Sequence, residues 1–168
     1  DASQMAEIVS VLDGIKGEYT QIMNTLLTDT SVKNRTVGVG HITTEDAAAL
    51  SMVGPFARAS NLPYDVRSFG RGAYRDLADF APITATEGDC YARVKVRCLE
   101  VLQSIEIIKE LGAKIPAGDI EVAVKGAPAD GAQASNVLEQ PRGECYYYAR
   151  GNGSKNLERM RMRTPTSQ

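Results

Sequence analysis

The run DCYARVKVRCLEVLQSIEIIKEL, from Asp89 to Leu111, decides the fold class. Tyr91, Val94, Cys98, Val101, Ile105 and Ile108 recur in alternating steps of three and four, the spacing of a bundle or coiled-coil-like seam. Asp89 stands where an N-cap belongs, Gly112 where a C′ glycine belongs, and Pro116 lies beyond. A second helix is expected over residues 3 to 29. Met5, Ile8, Val9, Leu12, Ile15, Tyr19, Ile22, Met23 and Leu26 form its stripe, and Gly14 and Gly17 weaken it or admit a close neighbour. Two long helices of this kind predict an antiparallel pair inside a larger bundle.

Between them, residues 30 to 43 read mostly as loop, with Gly38 and Gly40. Thr43 and Asp46 resemble a capping box, which predicts a short helix from Thr44 to Val53 that Gly54-Pro55 closes. Another helical turn is expected over Phe56–Ala59. Residues 61 to 87 carry Pro63, Gly70, Gly72 and Pro82 and read as an irregular crossing, with one turn near Tyr74–Phe80.

After Pro116 the pattern changes. Ile120–Val124 is β-prone, and 126–135 is rich in Gly, Ala, Pro and Ser and reads as loop. Gly143–Arg150 and Leu157–Arg163 predict a hairpin around Gly151-Asn152-Gly153-Ser154, with Met160 and Met162 giving the second strand a half-buried pattern. The expectation is an α+β fold: a long-helix bundle fragment followed by a small antiparallel β element. It is expected as one domain over 1–168, mainly helical over 1–115 and mainly β over 116–166. The last residues stop without a finished element, as expected of a piece of a longer chain.

Apolar residues are 43% and charged residues 24% of the 168, ordinary for a globular domain with a core. A net charge of −2 gives no reason to expect nucleic-acid binding. No apolar run reaches the roughly 18 residues of a membrane span, and no basic-then-apolar leader opens the chain. The cysteines are Cys90, Cys98 and Cys145, with no CxxC pair, and an odd, sparse count suits a reducing compartment. On a helix Cys90 and Cys98 lie roughly 12 Å apart along the axis, too far for a disulfide. With His41 the single histidine, these groups make no closed metal site alone. Cys98 is expected as a buried small hydrophobe, His41 as a loop residue, and Glu45 and Asp46 as helix-start carboxylates. Arg159, Arg161 and Arg163 read as a solvated strand face or a partner contact.

Three longer blocks carry more. The first runs Arg35–Ala47, then Gly54-Pro-Phe-Ala-Arg-Ala-Ser60 and Tyr64-Asp-Val-Arg67. The second is Thr86–Arg97, continuing to Gln103–Ile108. The third is Gln140-Pro-Arg-Gly-Glu144 with Tyr146-Tyr-Tyr148, then Arg161-Met-Arg-Thr-Pro-Thr166. Across residues 5 to 166 they resemble the superfamily that joins nickel–iron hydrogenase large subunits to the quinone-site subunit of respiratory complex I. Pro141-Arg142-Gly143 leans toward energy-converting hydrogenases, where an arginine follows this proline; the complex I branch typically has lysine. Arg163-Thr164-Pro165-Thr166 resembles the hydrogenase ending, and Gly54-Pro-Phe-Ala-Arg58 leans the same way. Gln140 departs from the alanine often found there, but Glu139 precedes it.

The resemblance implies a catalytic role for Arg142, whose guanidinium would offer fixed donors beside a nickel–iron centre. Pro141, Gly143, Arg58, Asp65 and Arg67 are implied as near-site residues, although Arg58, Asp65 and Arg67 read equally well as an ion pair bracing their loop. The thiolate ligands of that centre come from two CxxC motifs that this chain lacks, so no metal ligand is assigned here and the piece alone is expected to be inactive. An iron–sulfur small subunit and membrane ion-translocating subunits are implied as partners, at the cytoplasmic face of the membrane. The implied alternatives are a complex I-type subunit acting in NADH oxidation and quinone reduction, and a metal-free assembly scaffold.

Overall fold

The computed structural model describes residues 2–119 and 121–166. Helix α1 spans Ala2–Thr28 and helix α5 spans Cys90–Ala113. They run antiparallel, as the two stripes require. Gly112 abuts Met5, Lys109 Nζ bonds Asp13 at 2.7 Å, Lys16 Nζ bonds Glu106 at 2.8 Å, and Tyr91 Oη donates to the Leu27 carbonyl at 2.7 Å. Asp89 caps α5 by accepting from the Ala92 amide at 2.8 Å.

Gly112 is not a C′ residue. The helix runs through it to Ala113, and a Cβ there would lie 3.1 Å from the Met5 sulfur, so this glycine serves the crossing with α1. The buried face of α5 is Ala92, Arg93, Val96, Cys98 and Ile105, while Val101 and Ile108 of the expected seam are 41% and 42% exposed. The seam therefore leaves room for a further neighbour.

Thr30–Thr36 forms helix α2 where loop was expected, because the Asp29 side chain accepts from Val32 N at 2.8 Å and restarts the helix. Thr43 Oγ1 accepts from Asp46 N at 3.0 Å and caps α3 (Thr44–Ala49), which ends four residues before Val53 since Ser51 turns to φ +52°. Helix α4 is Pro55–Arg58. The crossing segment makes two 3-10 turns, Val66–Phe69 and Gly72–Asp76, earlier than the one expected turn.

The β element has three antiparallel strands in the order β1-β2-β3: Gln133–Gln140, Gly143–Gly151 and Leu157–Arg163. The loop expected over 126–135 gives way to β1 at Gln133, a strand hidden by its polar sequence. Ile120 lies outside the described residues. Residues 121–124 form no strand, with Val122 and Val124 extended into solvent. Met160 and Met162 are exposed, so the half-buried pattern expected of β3 is not realised.

The core is thin. Ala59, Ala85, Ala92 and Val96 pack with Ile83. Backbone bonds tie this point together: Ala85 N to Arg58 O at 2.9 Å, Gly88 N to Ala59 O at 2.9 Å and Ile42 N to Gly88 O at 3.0 Å. The start of α5 is thereby fixed against α4.

Candidate functional site

Gln140 pairs with Gly143 in the β1–β2 ladder, so Pro141 and Arg142 are the two central residues of a tight turn. Proline presets the φ of the first. Gly143 then takes φ +129°, a region L side chains rarely enter. The turn presses onto Gly54, where a Cβ would lie 2.3 Å from the Arg142 carbonyl oxygen; a Cβ on Gly143 would lie 2.8 Å from Gly54 N. Gly54 holds φ +70°, and Pro55 follows at the first position of α4. Two glycines thus let two backbones touch, and the third sequence block seats on the first.

This seating puts Arg142 on the wall of a cleft of about 520 Å³ with Met52, Val53, Phe56, Arg97, Pro165 and Thr166. The Pro141-Arg142-Gly143 turn and the Arg163–Thr166 ending, separated by two strands, meet there. The cleft lining carries no carboxylate, histidine or thiol. Phe56 is covered on one face by the Arg93 guanidinium, 4.1 Å from its ring centre.

Arg58, Asp65 and Arg67 lie elsewhere, in a buried ion network. Arg58 Nε donates to Glu100 Oε1 at 2.6 Å, and its Nη1 donates to Glu139 Oε1 at 2.9 Å and pairs with Asp65 at 3.1 Å. Arg67 grips Asp65 through Nε at 3.0 Å and Nη2 at 2.7 Å. Glu139 also accepts from Val66 N at 3.2 Å, tying β1 to the crossing segment. Burial alone would lower the pKa of Arg58, but Glu100, Asp65 and Glu139 hold it above its ordinary value. Glu139 is pushed up by burial and then by Asp65, despite Arg58. Nearby, Tyr64 donates to Glu144, which also pairs with Arg163, and burial with this bond pushes Tyr64 up to about 12.

Arg58 and Arg67, with Pro141, line a second cleft of about 630 Å³ between α1, α5 and β1. The near-site candidates are thus divided: Arg142 faces one cleft, Pro141, Arg58 and Arg67 the other, Asp65 is fully buried, and Gly143 is spent on the contact with Gly54. Sequence reasoning missed Arg97, Glu100 and Glu139. Arg97 and Glu100 stand three apart on α5, a spacing that suggests an ion pair with each other. In the fold Glu100 goes to Arg58 instead.

Among the described residues, no three His, Cys, Asp or Glu side chains gather to hold a metal ion. Cys98 and Cys145 are buried, Cys90 accepts from Arg93 Nη1 at 3.3 Å, and His41 is an exposed loop residue. This chain's own residues therefore do not provide a metal centre.

Residues 1–131 match the family model described as respiratory-chain NADH dehydrogenase, 49 Kd subunit. The chain is 35% identical over 167 residues to a subunit of the F(420)H(2) dehydrogenase of Methanosarcina mazei, covering 94% of this chain and 44% of that protein. It is 35% identical over 139 residues to the carbon monoxide-induced hydrogenase of Rhodospirillum rubrum, covering 83% and 38%. Among solved structures, it superposes with a TM-score of 0.86 and 25% identity on a chain of the membrane-bound sulfane sulfur reductase, an archaeal respiratory membrane complex. That match covers 96% of this chain and 45% of the other. The chain spans less than half the length of these relatives.

Proposed function

Given that the chain belongs to the family of the respiratory-chain NADH dehydrogenase 49 kDa subunit, we propose that it is part of the hydrogenase large subunit of an energy-converting membrane complex. The reaction is reversible proton reduction and dihydrogen oxidation. The observation that carries this reading is Arg142 on the cleft wall beside Pro165 and Thr166, the two segments in which the sequence leans to the hydrogenase branch. The likeness to the carbon monoxide-induced hydrogenase supports it.

A nickel–iron centre, held by thiolates from outside this chain, would supply the redox chemistry. What this chain supplies is the setting. The Pro141–Gly143 turn holds Arg142 by its backbone, and the guanidinium offers fixed N–H donors where negative charge develops. Arginine stays protonated, so its role is electrostatic positioning rather than proton abstraction. Electrons pass to an iron–sulfur partner subunit, and membrane subunits couple the flow to ion movement at the cytoplasmic face. No helix among the described residues is long and apolar enough to cross a membrane, which leaves the membrane contact to partners.

A second reading, quinone reduction in a complex I-type assembly, is favoured by the matching family model and by the dehydrogenase relative. Nickel analysis with a hydrogen-evolution assay on the intact complex separates the two. The hydrogenase reading expects nickel and hydrogen; a nickel-free complex that reduces quinone and evolves no hydrogen overturns it.

A further inference from the structure

We propose that Arg97 and Arg142 together form one anion-binding site, so that the cleft takes a ligand bearing an oxyanion. This deepens the reading of the Arg142 cleft given above and rests on it only for the location. Three observations carry it. First, both guanidinium groups line the same cleft, and no carboxylate lines it. Second, among the described residues neither arginine forms an ion pair. The hydrogen bond found for Arg97 is a long one, Nη1 to the Arg93 carbonyl at 3.4 Å, and the i+3 partner that α5 offers, Glu100, is committed to Arg58. Third, the contrast with the rest of the molecule is sharp. Arg58, Arg67 and Arg163 pair with carboxylates in their own surroundings, and so do Arg75 and Arg150 on the surface.

The cleft concentrates positive charge further. Arg93 sits over Phe56 on the same wall, buried, without an ion pair and with its Nε unpartnered. Like charges gathered without counter-ions raise the energy of the free site, and an anion that enters relieves it. Guanidinium forks match the two oxygens of a carboxylate or phosphate. Met52, Val53, Phe56 and Pro165 exclude water from the remaining wall and strengthen the attraction.

The test is an NMR titration of the purified chain with inorganic phosphate at constant ionic strength, following the arginine Nε–H signals. Arg97 and Arg142 are expected to shift together along one saturating curve. Arg97→Gln should weaken the affinity reported by Arg142 about tenfold, and Arg142→Gln should do the same at Arg97. Arg159→Gln, on exposed β3, is the control and should leave the curve in place. Both cleft arginines are exposed at the surface, so unchanged amide spectra are expected for the variants. A linear drift shared with Arg159, or an Arg142 curve indifferent to Arg97→Gln, overturns the proposal. Because phosphate binding is read without redox turnover, that failure is separate from a failure of the hydrogenase reading.

Discussion

Asp89 does two things with one carboxylate: Oδ1 accepts from Ala92 N at the head of α5, and Oδ2 accepts from Gly38 N at 2.7 Å across the loop. Burial raises its pKa, but these amide bonds outweigh that and hold it below the ordinary 3.8. The unfolded chain therefore binds the proton more readily, and the stability gained above that value is lost as pH falls through the lower folded one. Asp89→Ala is expected to cost about 1–2 kcal/mol at neutral pH and to flatten the acid limb of a stability-versus-pH curve from urea unfolding. Glu139 has the opposite sign. Its folded pKa lies above the ordinary 4.5, so its contribution declines as pH rises beyond that value. The network sets two guanidiniums, Arg58 and Arg67, against three carboxylates, Asp65, Glu100 and Glu139. Glu139→Gln is expected to flatten the curve on its rising-pH side; an unchanged slope contradicts the surplus charge. Removing Arg58, 1% exposed, leaves those carboxylates unpaired in the interior. Arg58→Met should cost about 3–5 kcal/mol in the same unfolding assay.

The elements divide by how local their causes are. The long helices were legible because their stripes repeat over many turns, and the hairpin strands β2 and β3 because Gly151-Asn152-Gly153 punctuates them. Strand β1 was not legible. QASNVLEQ alternates weakly and lies mostly exposed, so its strand state comes from pairing with β2 rather than from its own pattern. Helix α2 was missed because its one strong local signal, the Asp29 cap, stands in a polar run. The site was half legible: Arg142 stood out by its motif, whereas Arg97 reaches the same cleft from α5 through tertiary packing that no spacing displays. The Gly54–Gly143 contact is the joint on which that cleft depends. Gly54→Ala meets both a 2.3 Å clash and a φ of +70°. It is expected to lower stability by about 1–3 kcal/mol in thermal unfolding and to move the Arg142 Nε–H signal. An unmoved signal would mean that the contact does not position the turn.

The whole molecule exposes 11024 Å² of surface. A compact monomer of its 18.1 kDa mass should expose about 8,100 Å². The excess includes large apolar side chains along α1, among them Ile8, Val11, Ile15 and Ile22, which continue past the second cleft lined by Leu12, Ile15, Val101 and Ile108. Such a face belongs against other protein. The purified chain is expected to self-associate, with sedimentation velocity showing a concentration-dependent rise in mass; a strict monomer across the micromolar range contradicts this. In the intact complex, the same face lies covered and the Arg142 cleft becomes the place where chemistry is tuned. The direct measurement there is hydrogen evolution and nickel content of the complex carrying Arg142→Lys beside the unaltered one. The account predicts full nickel content with turnover lowered at least tenfold; unchanged turnover would remove Arg142, and with it the proposed role of this cleft.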